Sequence, residues 1–251
     1  MITTKASDIK ILKEGGAHLA RILADLRKRA CVGITTKELN EYAERMIVEF
    51  GGRPSFKGYQ SGGASPYPGT VCTSINDEIV HGIPSDRKLK NGDIIGLDIG
   101  MEYKGLYTDT AITVPVGTVD KKILELIAVT TEGLMAGIAA ARPGNTIGDI
   151  GHAISAIAKP YKYGVVRELV GHGVGSTVHE DPQIPNYGQA GTGEDIVEGM
   201  VLALEPMFNL GRHEVVLEDD GWTWSTADGS ISAHMEHTIY IGKEETIIIT
   251  K

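Results

Sequence analysis

Cysteine, tryptophan and phenylalanine are scarce in this chain, at two, two and three among 251 residues. Cys31 and Cys72 form no CxxC pair, so a thiolate metal site is not expected and a reducing cytosol is the simplest compartment. No run of Lys or Arg forms a phosphate-binding stripe, and 24 basic against 33 acidic residues leave a net charge of −9, which argues against direct nucleic-acid binding. The start MITTKASDIK lacks the basic segment and apolar core of a signal peptide. With 41% apolar and 23% charged residues the composition is that of a soluble globular protein, and neither a membrane span nor disorder is expected.

What the chain does have is an ordered set of metal-binding side chains spread over positions 98–236: Asp98, Asp109, His172, Glu205 and Glu236. Four carboxylates and one imidazole suit two adjacent divalent ions, with carboxylates bridging, better than one. Such donors accept Mn, Fe(II), Co or Zn, and a two-ion clamp activates water and stabilises a leaving group. A hydrolase is the first expectation.

Periodicity orders the elements. Ile11, Leu12, Leu19, Ile22, Leu23 and Leu26 keep one stripe of a helix over 7–29, with Ser7 as its expected N-cap. Thr35 and Glu38 have the form of a capping box ahead of a second helix that stops at Gly51 and Gly52. An irregular Gly/Ser/Pro segment over 58–69 leads to strand-like runs over 70–75, 94–101 and 106–114. Two more helices, over 121–141 and 147–159, and further strands follow. Helix pair then strands, twice over, predicts two related halves, roughly 1–118 and 119–251, in one catalytic domain spanning 1–251, although the halves share no sequence identity.

The candidate ligands sit where local chemistry makes them costly to ignore. Asp98 lies within IIGLDIG, where an ionised carboxylate needs a partner if buried. Asp109 is eleven positions on, a spacing that reverses faces along one straight strand, but Gly105 permits a hairpin turn that aims both carboxylates at one point. Taken alone, Asp109 would be read as a turn or strand-end residue. His172 and His179 share the glycine-rich LVGHGVGSTVHEDP, where the backbone can approach a ligand; a lone histidine there would be structural. Glu205 ends the apolar run MVLALEP and Glu236 enters a strand in SAHMEHTIYI, and buried glutamates call for a pair or a metal.

At this point the chain resembles the type I methionine aminopeptidases, of the pita-bread (creatinase/aminopeptidase-like) metallopeptidase fold. The matching segments are CTSINDEIVHGIP around His81, NGDIIGLDIG around Asp98, YTDTAITVPVG around Asp109, GHGVGSTVHEDPQIPNY around His172 and His179, ALEPMF around Glu205, and SAHMEHTIYI around Glu236. The resemblance implies an α+β fold of two pseudo-symmetric halves, with helices packed on a curved, mainly antiparallel sheet. It implies two divalent ions (Co, Mn, Fe(II) or Zn), with Asp109 and Glu236 bridging, Asp98 holding one ion by both oxygens, and His172 and Glu205 completing the other.

The implied reaction is removal of N-terminal methionine from peptides and nascent proteins, preferably before a small second residue. Glu205 relays the proton of an activated water, His179 steadies the oxyanion, and His81 contacts the scissile nitrogen or its neighbour. By itself, His81 in VHGIP would be read as a turn residue. Tyr59, Tyr67, Cys72, Val178, Met207, Trp222 and His234 are the implied methionine pocket, each with core packing as its plain alternative. The resemblance further implies a cytoplasmic monomer that meets nascent chains at the ribosome.

Val178 stands where the family commonly has phenylalanine, His234 where it has glutamine and Met235 where it has an aromatic, and the loop over 60–66 is longer than in compact bacterial relatives. These departures predict a roomier or differently shaped entrance. Two competing readings carry less of the pattern. A proline-directed dipeptidase of the same fold would bring a large N-terminal domain, whereas fewer than a hundred residues precede Asp98. A non-catalytic binding protein would have lost ligands that are all present. Only 31 positions separate Glu205 from Glu236, too few for the helical insertion of the type II enzymes, and no Cys/His-rich extension precedes the first helix, as in the short bacterial form.

Overall fold

The computed structural model describes residues 1–60 and 65–251. Four helices, α1 (Ala6–Arg29), α2 (Thr36–Glu49), α3 (Lys121–Ala140) and α4 (Ile147–Ala158), alternate in pairs with strands. Nine strands build the main sheet: β1 (Arg53–Pro54), β2 (Val71–Ile75), β3 (Ile94–Tyr103), β4 (Leu106–Pro115), β5 (Gly171–Gly173), β6 (Glu180–Ile184), β7 (Val201–Leu204), β8 (Glu236–Ile241) and β9 (Thr246–Ile248). Their order is β1-β3-β4-β8-β7-β5-β6, with β2 also on β3 and β9 also on β8. Every pairing in it is antiparallel.

The helices follow their sequence signals closely. Thr35 caps α2 through the expected box, its hydroxyl accepting from Glu38 N while Glu38 Oε2 accepts from Thr35 N. At α1 the expectation fails by two residues. Lys5 occupies the N-cap and Ser7 lies inside the first turn, because Thr3 organises this end by accepting from Lys5 N and donating to Asp8.

Helix α3 is long and apolar enough, by length and composition, to cross a membrane. It works here as a core helix, its stripe of Leu126, Val129, Gly133, Leu134 and Ile138 packed on α4 and the sheet. A Cβ at Gly133 would sit 2.8 Å from the Phe208 ring, so the glycine is what lets α3 seat on that side chain.

Two large apolar cores result, beside smaller clusters. Residues of α1 and α2, with Val71, Ile95, Leu97 and Ile99, form one; α3 and α4, with Leu202, Leu204, Phe208 and Ile239, form the other. Sheet register turns these layers into a site. Lys104 and Gly105 both adopt positive φ and join β3 to β4 as a two-residue hairpin, the geometry that matches strand twist. In that hairpin Asp98 pairs with Ala111 and Gly100 with Asp109, which puts the two aspartates diagonally on one face. The turn expected at Gly105 is therefore the one that solves the face reversal.

Candidate active site

Asp98 is the centre of a row that crosses four strands. Cys72 on β2 pairs with Asp98 on β3, Asp98 with Ala111 on β4, and Ala111 with Glu236 on β8. Cross-strand partners project to the same face, and the small Ala111 between two carboxylates leaves space above it. Glu205 follows directly after β7, which pairs Leu204 with His237, so it arrives beside Glu236. His172 on β5 pairs with Ala203, two residues before Glu205 and on the same face. Thr238 ties β8 to β4, its hydroxyl accepting from Asp109 N at 2.8 Å and donating to Asp109 O at 2.7 Å.

All five candidate ligands thus line one cavity of about 670 Å³, together with His81 and His179. Donor atoms of Asp109, His172 and Glu236 lie within 4.8 Å of one another. Asp98, Asp109 and Glu236 are buried, at 8%, 3% and 2% exposure, a placement charged groups tolerate only with compensation.

The electrostatics state what compensation is needed. Burial raises Asp109 to about 7, against the hydrogen bond that Thr110 N donates to its Oδ1 at 2.9 Å. Burial, then repulsion from Asp109 and Glu205, raises Asp98; Glu205 rises from burial and from Asp109. Glu236 rises from burial and from Asp109, Glu205 and Asp98 in turn. Among the described residues, Asp98 Oδ1 and Glu236 Oε1 are buried without a hydrogen-bond partner.

His172 sharpens the point. Its Nδ1 lies 2.9 Å from Gly173 O, and since a carbonyl only accepts, Nδ1 carries the hydrogen and Nε2 presents a lone pair. That lone pair faces Glu205 Oε1 at 3.5 Å. Burial, helped by His179, lowers the imidazole to about 3, so it is neutral near pH 7. Two acceptors facing each other repel unless a cation lies between them. The donor set and its orphaned oxygens therefore fit divalent metal ions.

The other two histidines frame the entrance. His179 is exposed and packs edge-on to His172, with ring centroids 4.5 Å apart, and to Tyr59 at 4.9 Å; partial burial lowers its pKa. His81 holds φ of +60°, an uncommon conformation for a side chain other than glycine, fixed by Thr73 N donating to Gly82 O at 2.7 Å. Burial and then His179 lower it to about 4. Its ring lies 6.3 Å from that of Trp222, centroid to centroid.

Beside the carboxylates stands an apolar wall. Phe56, Tyr67, Cys72, Val178 and Trp222 form one buried cluster, with Tyr59 packed against it. Tyr67 donates to Gly82 O at 2.9 Å and Trp222 Nε1 to Ser65 O at 2.8 Å, which fixes both rings. Gly100, paired with Asp109, lets this wall come close, since a Cβ there would meet Ser55 Oγ and the Phe56 ring at 2.8 Å or less.

The wall differs in part from the sequence expectation. Tyr59, Tyr67, Cys72 and Trp222 line the cavity, whereas Val178, Met207 and His234 do not. Val178 belongs to the wall's buried cluster without lining the cavity, and Met207 belongs to a separate core with Ile79, Val80 and Val166. His234 is buried at 2% exposure on the strand Ser232–His234. Phe56 and Trp224 line the cavity and were not anticipated; Phe56, three residues before Tyr59 and just ahead of the irregular segment, was the readable signal. Of the loop over 60–66, residues 61–64 lie outside the described residues.

Comparison with known proteins now places the chain. Residues 10–243 match metallopeptidase family M24. Methionine aminopeptidase 1 of Bacillus subtilis is 46% identical over 247 residues, 97% of this chain and 96% of that one. The crystal structure of methionine aminopeptidase from Thermotoga maritima superposes with a TM-score of 0.95 at 42% identity, covering 100% of both chains. Prolidase from Pyrococcus furiosus, at 21% identity and a TM-score of 0.79, shares the pita-bread fold over 65% of its length. With the carboxylate row, the two histidines and this extent of identity together, the chain belongs to metallopeptidase family M24 and, within it, to the methionine aminopeptidase family.

Proposed function

We propose that this chain removes N-terminal methionine from peptides and nascent proteins, preferably before a small second residue, by hydrolysing the first peptide bond. The observation that carries the reading is a single one: a row of buried carboxylates with His172, on one sheet face, opening beside an aromatic wall. The methionine aminopeptidases similar to it over its whole length support the same activity.

Asp98, Asp109, His172, Glu205 and Glu236 would hold two divalent ions, with Mn, Fe(II), Co and Zn all compatible with these donors. When bound, such ions supply Lewis-acid charge that makes water acidic near neutral pH and stabilises developing negative charge. The rest falls to the chain's own groups. Glu205, facing the cavity, accepts the proton of the attacking water and passes it to the departing amine. His179, at the entrance, donates a hydrogen bond to the carbonyl oxygen as charge grows on it, and His81 contacts the scissile nitrogen or its neighbour.

The methionine side chain enters against Phe56, Tyr59, Tyr67, Cys72 and Trp222, an apolar surface suited to an unbranched thioether. We read residues 1–251 as one catalytic unit of two pseudo-related halves, supported by ligands drawn from both: Asp98 and Asp109 from the first, the others from the second.

The test is release of free methionine from Met-Ala-Ser and Met-Leu-Ser by metal-stripped protein reloaded with each metal, beside a Glu205→Ala control. Cleavage of Met-Ala-Ser in preference to Met-Leu-Ser, lost in the control, is expected. No methionine released with any metal, a preference for another first residue, or cleavage that survives Glu205→Ala unchanged would overturn it.

A further inference from the structure

His234 is a buried imidazole that the proposed reaction does not use. Its backbone is pinned by Thr113, whose hydroxyl accepts from His234 N at 2.9 Å and donates to His234 O at 2.8 Å. Its ring is 2% exposed, and its Nε2 has no hydrogen-bond partner among the described residues. A buried nitrogen left in that state is unfavourable, so a nearby acceptor is expected to engage it.

One such acceptor is on Glu205. His234 Nε2 lies 3.7 Å from Glu205 Oε2, while His172 Nε2 lies 3.5 Å from Oε1 of the same carboxylate. Glu205 therefore stands between two imidazoles, one to each oxygen. The two rings are not equivalent. The hydrogen of His172 is committed to Gly173 O, which leaves its Nε2 a lone pair for a metal ion, whereas the Nε2 of His234 is the ring nitrogen left buried without a partner among the described residues. An imidazole carries at least one N–H to give. The main chain of Glu205 is already held, through its carbonyl, by Asn186 Nδ2 at 3.1 Å, so the freedom that remains to it is the swing of the carboxylate.

We propose that His234 is a positioning residue for Glu205: its Nε2–H donates to Glu205 Oε2 and holds the carboxylate so that Oε1 faces His172 and the metal site. Closing 3.7 Å to an ordinary hydrogen-bond length takes a small rotation of either side chain. The inference rests on the metal-site reading above and adds to it a residue of this chain that supports a ligand from behind. Groups in that position typically change metal affinity or activity 10–100-fold when removed.

The test compares His234→Leu, which fills the space without a donor, with His234→Gln, whose Nε2 falls near that of the ring. Calorimetric titration of chelator-stripped protein with Mn(II) or Co(II) should show about 10–100-fold weaker binding for the leucine variant. Its kcat on Met-Ala-Ser should fall by a similar factor with KM nearly unchanged. The glutamine variant should recover both to within a few-fold. Equal metal affinity and kcat in wild type and the leucine variant would overturn the proposal, as would equal impairment of leucine and glutamine, which would assign the effect to ring volume.

Should the leucine variant fail to fold, His234→Asn, whose amide is too short to reach Glu205, takes its place; unchanged metal affinity there also overturns the proposal. Metal affinity is read without substrate. A chain that binds metal but releases no methionine would sink the proposed function and leave this test standing.

Discussion

Replacing Asp109 by asparagine should make the metal-free protein more stable, by an amount that grows with pH. An unfolded aspartate titrates near 3.8, whereas burial in the carboxylate row holds Asp109 at about 7. Because the folded value is the higher one, the folded chain binds the extra proton between these limits, and stability is lost as pH climbs through them. At 1.36 kcal/mol per pH unit, the loss is about 2 kcal/mol at pH 5 and about 4 kcal/mol at pH 8.

Asparagine carries no charge to bury and keeps the acceptor that Thr110 N uses. Its amide can donate to Asp98, and the change also relieves Glu205 and Glu236, both raised by Asp109. For a chain of this size ~1 kcal/mol moves the melting temperature by about 2–4 °C. Thermal unfolding in chelator should therefore place the variant above wild type by several degrees more at pH 8 than at pH 5. With excess Mn(II) or Co(II) the order should reverse, since wild type gains a ligand that binds only its folded state and the variant has lost a donor. A variant no more stable than wild type in chelator at pH 8, or a gain that ignores pH, would refute the account of the site as a strained row of charges waiting for cations.

Two further outcomes are expected. His179→Ala, at an exposed position, should lower kcat about 10²–10³-fold if it donates to the oxyanion, while elemental analysis finds the metal content of wild type; full activity would remove it from the reaction. Phe208→Ala should cost about 3–5 kcal/mol in denaturant unfolding, because the ring is fully buried and α3 seats on it through Gly133; a cost under ~1 kcal/mol would mean that the second core closes over the void.

The helices were legible in the chain because their signals are local. Thr35 and Glu38 satisfy each other within one turn, and the stripe of α1 needs no partner to be seen. The aspartate hairpin was legible for the same reason, since Lys104–Gly105 is a two-residue loop between runs that pair throughout. Ser7 was misplaced because Thr3, outside the apparent pattern, won the start of α1. Met207 and Val178 were expected in the pocket and do not line it, because flanking motifs fix a residue's neighbourhood along the chain but not which neighbours its side chain packs against.

The sequence by itself determined the inventory: a hydrolase-type set of four carboxylates and a histidine, two accompanying histidines, paired helices and strands, and the family the chain belongs to. These follow from residue type and short-range spacing. Only the tertiary structure decided that Asp98, Ala111 and Glu236 stand in one row, that Glu205 lies between His172 and His234, and that Phe56 joins the apolar wall. Sheet register makes those choices, and register depends on pairing between segments more than a hundred residues apart, whose shift by one position would turn every ligand to the opposite face.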